Sequence, residues 1–354
     1  MSSRLAAGPR PAPPDAIERE LKSLWRRLTA VPPADAGARA MQPLLANLAA
    51  VGRTAGEADA FLAPIGDLIG RAPCRAILAA VDPDSGPPAL ESEVAILCCE
   101  SPACARRVCC DLIRLSARGR RAADLPSLAA SLWVPDLPIV LWWPRPALET
   151  SAFEGLARQA QRLIVDSAAA GCGSLPALAG FLDRTRLSGP AVSDLTWCRL
   201  TPVRHLMAQF FDSPDACRCL AQIDRLQIEA DPVAGRLLAG WMQTRTRCGG
   251  GAAGPGARIE LAGQGTQLGL FSGLRLTCSG GAAEFFIRRD RGGRAALRAR
   301  VGGRAWTSSA ALAAAPTADL LAAELAFPGR DAGYEEALAA AARLPADDLT
   351  AGGD

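Results

Sequence analysis

VPDLPIVLWWP, at residues 134–144, is the stretch on which our interpretation of the fold depends. Its apolar run IVLWW lies between Pro138 and Pro144, and this length is typical of a strand and too short for a helix. Successive side chains of a strand point to opposite faces, so Trp142 and Trp143 cannot share a side. Either the strand is buried on both faces, or one indole lies at a surface where it can contact a partner.

Upstream of this strand, the pattern alternates between strands and helices. A Pro-rich arm at 1–14 precedes Asp15, which is placed to cap an amphipathic helix that ends before Pro32. Further strands are predicted at 44–51, 75–81, 92–99, 108–115 and 163–165, and helices at 57–69, 122–132 and 153–162. The runs at 92–99 and 108–115 are joined by a short loop, which favours a hairpin.

Downstream, helices come first and short strands follow. Helices are predicted at 175–184, from a cap at Ser193 or Asp194, from Thr201-Pro202, from Ser213-Pro214, at 233–244 and at 334–343. Strands are predicted at 225–230, 258–261, 267–271, 275–278, 284–288 and 295–301, with GGGAAGPG at 249–256 as a loop and 320–325 ending the β region. Glycine turns between such short strands indicate an antiparallel sheet.

These patterns predict an α+β protein. An N-terminal mixed β-sheet domain flanked by helices is followed by a second α+β domain with an antiparallel sheet. We expect a Pro-rich arm and amphipathic helix at 1–40, the first domain at 41–186, the second domain at 187–345 and a frayed tail at 346–354.

Composition narrows the class of protein. The chain has 354 residues, a net charge of +3 and twelve cysteines. RRDRGGRAALRAR at 288–300 is the stretch that comes nearest to a basic surface for binding nucleic acid. Because an exposed strand or turn explains it equally well, no nucleic-acid partner is predicted. The sequence has no apolar run of membrane-spanning length and no signal-peptide pattern, so we expect a cytoplasmic protein with mostly reduced thiols and no membrane partner.

Catalytic motifs are absent from the sequence. His205 is the one histidine, and a helix-edge histidine is more often structural. There is no GxSxG elbow and no GxxxxGK[ST] phosphate loop. Gly263, Gly265 and Gly269 have the wrong spacing for a dinucleotide site and precede a strand, so hairpin turns explain them. We therefore predict that the chain is not an enzyme and binds no cofactor.

Five cysteines crowd the predicted hairpin: Cys98, Cys99, Cys104, Cys109 and Cys110. Their spacing lacks the CxxC pairs of structural zinc sites, so no metal is predicted. In a hairpin, one cysteine of the pair 98–99 and one of the pair 109–110 face the same side and come close to disulfide reach. A reversible thiol switch and a set of buried inert thiols both remain open.

Several stretches together resemble the glucose-6-phosphate dehydrogenase assembly protein family, OpcA. They are CRAILAAV at 74–81, VCCDLIRLSARG at 108–119, LWVPDLPIVLWWP at 132–144, LIVDSA at 163–168, DLTWCRLTPVRHLMAQFFDSP at 194–214, IDRLQIE at 223–229 and LLAGWMQTR at 237–245. PDLP-x2-LWW, IVDS and DLxWxRL keep the family's order, and the resemblance covers about residues 40–300. The arm, the glycine loop, and Cys98, Cys99 and Cys104 fall outside the shared pattern.

The resemblance implies a protein without chemistry of its own that binds glucose-6-phosphate dehydrogenase, promotes its assembly and raises its activity. This activity feeds the oxidative pentose phosphate pathway and NADPH supply, and redox regulation is implied by photosynthetic relatives. Interfaces favour aromatic and arginine anchors, so candidate contact residues are Trp142, Trp143, Trp197, Arg199 and Arg204. The alternative is a small-molecule or redox sensor protein with an α+β pocket.

Overall fold

The computed structural model describes residues 3–6, 10–11, 13–30, 42–84, 86–101, 106–248, 258–263, 270–327 and 329–345. Predictions for Cys104, for the loop at 249–256, for the tail at 346–354, and for parts of the arm and of the strand at 267–271 lie outside this range. The described chain forms two compact units. The first comprises the residues up to Val165, Thr185–Val192 and Pro316–Arg330, and the second comprises Asp166–Arg184, Ser193–Ala315 and the residues from Asp331 onward. The predicted division into continuous domains stays a prediction.

The first sheet has nine strands within the described residues. They are β1 (Ser3–Ala6), β2 (Arg10–Pro11), β3 (Ala46–Gly52), β4 (Cys74–Asp82), β5 (Ala89–Ser101), β6 (Arg106–Arg118), β7 (Ile139–Trp142), β8 (Arg162–Val165) and β9 (Ala191–Asp194). Their order is β1-β5-β6-β4-β3-β7-β8-β9, and β2 also pairs with β5. Neighbours from β6 to β8 are parallel, and β5 is antiparallel to β1, β2 and β6. The prediction of a mixed sheet with a hairpin is confirmed.

The second sheet has six strands within the described residues. They are β10 (Ile223–Ala230), β11 (Arg258–Gly263), β12 (Phe271–Cys278), β13 (Ala283–Arg289), β14 (Arg294–Val301) and β15 (Arg304–Ala311), in the order β11-β10-β12-β13-β14-β15. All neighbours are antiparallel except β10 and β11. A helix connects this parallel pair, as a crossover between parallel strands requires.

The helices flank both sheets, as predicted. They are α1 (Pro14–Ala30), α2 (Ala55–Ala60), α3 (Leu62–Ile69), α4 (Leu125–Leu132), α5 (Ser151–Ala157), α6 (Ser167–Ala170), α7 (Ser174–Arg184), α8 (Leu195–Arg199), α9 (Thr201–Gln209), α10 (Pro214–Cys219), α11 (Pro232–Cys248), α12 (Thr317–Ala326) and α13 (Ala332–Ala341), with 3-10 segments at Gly119–Asp124, Leu220–Gln222 and Ser279–Gly281. Among the described residues, none of these helices combines the length and apolar character needed to cross a bilayer.

The central strands of the first sheet are buried on both faces, which explains their nearly continuous apolar sequences. Every residue of β3 and of β8 is buried. Trp142 packs against Phe61 with ring centroids 4.6 Å apart, and Trp143 packs against Phe153 of α5 at 5.5 Å. Both indoles are only 3% exposed, so burial on both faces is the alternative that the structure adopts.

Asn47 of β3 holds the chain that leads into β7. This buried side chain donates hydrogen bonds to the carbonyl oxygens of Val134 and Leu137 at 3.0 and 3.3 Å, and it accepts one from the Val134 amide at 2.8 Å. Asp136, between them, has a φ of 66°. The tight turn in VPDLP is therefore fixed by a side chain of the neighbouring strand.

Residues from near the end of the chain complete the first unit. Arg162 of β8 is 5% exposed and pairs with Glu324 of α12 at 3.2 Å. Its guanidinium also donates to the carbonyl oxygens of Phe327 and Gly329, the latter at 2.7 Å. Because a buried guanidinium is costly without partners, the segment around Gly329 is needed by a strand far earlier in the sequence.

The second sheet is buried on one face. Along β12, β13 and β14, buried residues alternate with residues that are more exposed. Phe285 of β13 contacts Phe210 and Phe211 at centroid distances of 5.4 and 4.8 Å. Beside this sheet, α11 and α13 pack with their backbones close together. A Cβ at Gly240 of α11 would lie 2.3 Å from the carbonyl oxygen of Ala337, so glycine is required there.

Several details differ from the sequence predictions, and the short strands β1, β2 and β9 were not predicted. Residues 320–325 do not end the β region but lie in α12, where Leu320 and Leu321 are buried at helical spacing. The helix predicted at 153–162 ends at Ala157, and Arg162 begins β8. β15 was not predicted, because RAWTSSAA is rich in Ser and Ala and is exposed along nearly its whole length, which removes the alternation expected of a strand.

Candidate functional site

Asp166 of LIVDSA and the polar residues of DLTWCRL, which lie apart in the sequence, meet in a polar cluster of the second unit. We define the Asp166–Asp194 cluster by the side chains that share its hydrogen bonds and ring contacts: Asp166, Asp194, Thr196, Trp197, Arg199, Thr201, Arg204, Asp331 and Tyr334. The C-terminal helix α13 supplies Tyr334, and Asp331 immediately precedes it.

Asp166 is the ion-pair partner of Arg199. The Nη1 atom of Arg199 donates to both carboxylate oxygens at 2.9 Å, and their side chains are 23% and 15% exposed. Thr196 donates its hydroxyl to the same carboxylate at 2.9 Å and accepts the amide of Ala168. These bonds tie the start of α6 to α8.

Asp194 is fully buried and ends β9. It accepts hydrogen bonds from the amides of Ser167 and Thr196 at 3.1 and 2.9 Å, and from the Tyr334 hydroxyl at 3.3 Å. Burial raises the pKa of Asp194 to about 6, although the amide hydrogen bonds favour the charged form. Burial, followed by the neighbouring Asp194, raises the pKa of Tyr334 well above its usual value.

Trp197 and Arg204 form a stacked pair in this cluster. The Arg204 guanidinium lies 3.5 Å from the Trp197 ring centroid, and it donates to the Thr201 hydroxyl at 2.8 Å. Trp197 is 2% exposed and donates its indole N–H to Asp331 at 2.7 Å. Burial lowers the pKa of Arg204 to about 10, whereas the charge of Asp331 acts in the opposite direction.

The geometry makes this cluster a connector between elements. Both aspartates already accept hydrogen bonds from fixed internal donors, and a general base needs a free lone pair within reach of its substrate. His205 lies at an exposed position of α9, away from these bonds. Among the residues that the structure describes, no three His, Cys, Asp or Glu side chains are grouped to hold a metal ion.

The structure divides the five predicted contact residues between the core of the first unit and the Asp166–Asp194 cluster. Trp142 and Trp143 lie in the first unit and are core residues, so neither indole offers the exposed surface on which the alternative of a partner contact depended. Trp197 is buried as well. Arg199 and Arg204 are partly exposed but belong to the Asp166–Asp194 cluster. Trp197 and Arg199 have separate partners, as expected for helical residues two positions apart.

Cys98 and Cys109 stand directly opposite each other on β5 and β6 and form a disulfide bond. Their Cα atoms are 4.1 Å apart, and both residues are buried. One cysteine of each predicted pair thus faces the same side of the hairpin. A redox function of this bond stays a prediction.

The other two predicted redox residues point to the opposite face of the hairpin. Cys99 is opposite Val108, and Cys110 is opposite Leu97. Burial raises the pKa of both thiols, and it raises the pKa of nearby Cys74 to about 12. Since the thiolate is the reactive species, a raised pKa disfavours reaction of Cys99 and Cys110 at neutral pH. A redox role for either cysteine stays a prediction.

Asp111 of β6 lies two residues beyond Cys109, on the same face, and fixes the N-terminal helix. It accepts from the Trp25 indole of α1 at 2.6 Å and from Gln42 at 3.0 Å, and it pairs with Arg75 at 2.8 Å. Arg75 also binds Glu18 of α1 at 2.6 Å. The disulfide therefore neighbours the point where α1 is attached to the sheet.

Sequence reasoning missed the convergence on Asp194 and Tyr334, which are 140 residues apart. Two local signals were available, because Asp194 and Asp331 both precede helices and cap them through their side chains. A capping role accounts for each aspartate within its own segment and does not require a distant partner. Their common partner depends on tertiary packing, which spacing does not reveal.

Two family models match the chain. One, described as the glucose-6-phosphate dehydrogenase subunit N-terminal domain, matches residues 66–178, and another, described as the C-terminal domain of that subunit, matches residues 190–338. Together the two matches cover most of the chain, and the second includes Asp194, Trp197, Arg199, Arg204, Asp331 and Tyr334.

Cyanobacterial relatives that carry the name OxPP cycle protein OpcA are similar to this chain. The protein of Synechococcus elongatus is 28% identical over 301 residues, or 75% of this chain and 66% of the relative. That of Nostoc punctiforme is 29% identical over 184 residues, or 49% of this chain and 38% of the relative. That of a Synechocystis strain is 28% identical over 144 residues, or 39% and 30%. The chain thus spans less than two thirds of the length of each.

Proposed function

Because the chain belongs to the family of glucose-6-phosphate dehydrogenase assembly proteins named OpcA, we propose that it is a non-catalytic assembly factor and allosteric activator of that dehydrogenase. The family is associated with the oxidative pentose phosphate cycle and with assembly of the dehydrogenase. The observation that carries the proposal is the match of both family models, in order, to residues 66–178 and 190–338.

The state of the cluster side chains supports a non-catalytic protein. Asp166 gives both oxygens to Arg199, and Asp194 accepts three internal hydrogen bonds. A carboxylate held in this way organises its neighbours and has little capacity left to receive a substrate proton. The cluster thus ties α6, α8 and α13 of the second unit together.

Activation requires a difference in affinity. The protein raises activity only if it binds the active, assembled dehydrogenase more tightly than the inactive form. The partly exposed Arg199 and Arg204 remain candidate contact residues. In this proposal the chain acts in a bacterial cytoplasm and increases the supply of NADPH.

A titration into the dehydrogenase of the same organism tests this function. We expect the apparent substrate constant to fall and the dehydrogenase to shift to a larger oligomer, measured by initial rates and by light scattering after size exclusion. The chain without the dehydrogenase is the control and should give no turnover of glucose 6-phosphate. Unchanged rates together with an unchanged oligomer size would contradict the proposal.

Redox regulation is a second proposed property, favoured by the Cys98–Cys109 disulfide. Reduction would free two thiols on the face that holds Asp111, and so would alter the attachment of α1. Activation of the dehydrogenase by the oxidised and the reduced chain should differ, and the variant C98S/C109S should respond to neither treatment. C99S is the matched control on the other face. Equal activation by oxidised and reduced wild type would refute this property.

A further inference from the structure

One face of the second sheet is exposed and rich in charge. By strand register, this open face carries Arg258 and Glu260 of β11, Arg225, Gln227 and Glu229 of β10, Arg275 and Thr277 of β12, Glu284, Phe286 and Arg288 of β13, Arg294, Ala296, Arg298 and Arg300 of β14, and Ala305, Thr307 and Ser309 of β15. All seven arginines are exposed, and the three glutamates are half-buried. Within the described strands, the open face therefore has an excess of positive charge.

The positive charge is concentrated on β14. On the other side of the open face, Glu260 pairs with Arg225 and Arg258, and Glu229 pairs with Arg288. On β14, Arg300 has Glu284 at 4.0 Å. Arg294 donates to the Ser309 hydroxyl at 2.9 Å. Within the described part of the chain, neither Arg294 nor Arg298 has a carboxylate at ion-pair distance.

An aromatic side chain lies in the middle of this face. Phe286 is directly opposite Arg275 on one neighbouring strand and Arg298 on the other. The Arg275 guanidinium lies 5.6 Å from the Phe286 ring centroid. A half-buried phenylalanine between two arginines has the composition of the anchor groups that carry most of the energy in protein interfaces.

We propose that the open face, centred on Phe286, Arg294 and Arg298, docks on an acidic surface of glucose-6-phosphate dehydrogenase. The inference rests on the proposed function and adds the surface through which it works. Complementary charge draws the two proteins together and sets their orientation. The row of Arg275, Phe286 and Arg298 supplies the contact at the centre.

The charge pattern favours a protein over a nucleic acid. Glu229, Glu260 and Glu284 stand on the same face, and each would repel a phosphate backbone, which is uniformly negative. A protein surface carries both signs, so it can place carboxylates opposite β14 and cations opposite these glutamates.

Charge reversal on β14 tests the docking surface. The variant R294E/R298E should bind the dehydrogenase about tenfold more weakly than the wild type, and its affinity should depend less on salt between about 0.05 and 0.5 M. F286A should weaken binding while keeping the wild-type salt dependence. Affinity is measured by calorimetry or interferometry on the full chain.

The matched control changes the same charges elsewhere. Arg304 is exposed on β15 but lies on the opposite side of the sheet, beside Trp306, and Arg120 is exposed in the first unit. The variant R304E/R120E has the same net charge as R294E/R298E and should bind as the wild type does. Thermal unfolding of all variants verifies that they are folded.

The outcomes separate two failures. If the wild type binds the dehydrogenase and R294E/R298E binds equally well, the docking surface is refuted and the proposed function stands. If the wild type does not bind, the proposed function fails and this inference fails with it. If R294E/R298E loses only binding to a DNA oligonucleotide, the open face serves a nucleic acid and the inference is overturned.

Discussion

The two sheets of this chain bury their strands in different ways. In the first sheet, parallel strands such as β3 have every residue buried, and adjacent tryptophans at 142 and 143 both lie in the core. In the second sheet, β14 alternates buried Leu297 with exposed Arg298. A sheet covered on both faces leaves its central strands no surface to offer a partner. A sheet covered on one face keeps a surface whose side chains can change without loss of the core.

Removing a core aromatic should show the largest difference between the sheets. We expect Trp143→Ala to lower the free energy of unfolding by about 3–5 kcal/mol, because it leaves a cavity against Phe153. Phe286→Ala on the open face should cost about 1 kcal/mol or less. Denaturant unfolding of both variants measures the two values. Equal losses would mean that the open face is packed like a core.

Breaking an ion pair should likewise lower the free energy of unfolding more in the first sheet than in the second. Asp111→Ala removes the more buried of the two carboxylates that pair with Arg75, whose side chain is 11% exposed, and it leaves the Trp25 indole N–H without its acceptor. We expect a loss of about 3–5 kcal/mol. Glu284→Ala removes a carboxylate that is 34% exposed, and its loss should be within about 1 kcal/mol. Urea midpoints provide the measurement. A costly Glu284→Ala would contradict the contrast.

The second unit also contains a buried charge, and its pH dependence sharpens the comparison. The pKa of Asp194 is about 6 in the folded protein, above its value of about 3.9 in an unfolded chain, so the folded state binds the proton first. The contribution of Asp194 to stability therefore increases as pH falls from about 6 to about 4. Asp194→Asn removes this increase. Wild type and variant should be compared by urea unfolding at pH 7 and pH 5; a stability difference that is the same at both values would refute the assignment.

The smallest effect on stability is expected for a substitution on β14. Arg298→Glu should change the free energy of unfolding by less than about 0.5 kcal/mol, because Arg298 is exposed and has no carboxylate at ion-pair distance among the described residues. Thermal unfolding of this variant and of Arg304→Glu measures it. A large destabilisation would show that Arg298 holds the sheet together and is not free for binding.

The same contrast explains what the sequence could predict. The strand at 139–142 and the hairpin of β5 and β6 were predictable, because apolar runs bounded by prolines or turns indicate strands locally. The fold class followed from their succession. β15 carries no such pattern, since neither of its faces is buried.

The site was less predictable than the fold. Spacing on α8 separated Trp197 from Arg199 correctly, and the paired cysteines suggested a cross-strand bond. Nothing in the sequence shows that Tyr334 reaches Asp194, because that contact requires the packing of α13 within the second unit. The open face could not be recognised before the strand register placed Arg275, Phe286 and Arg298 in one row.

Arg162 has a consequence for how the protein is made. Its partner Glu324 follows 162 residues later in the chain, although both belong to the first unit. During synthesis, β10 to β15 leave the ribosome and can pair with their neighbours before α12 emerges. The first unit, although most of it is translated first, is therefore completed only after the strands of the second sheet have been made. A nascent chain stalled before residue 324 should expose an unfinished first sheet to chaperones and proteases.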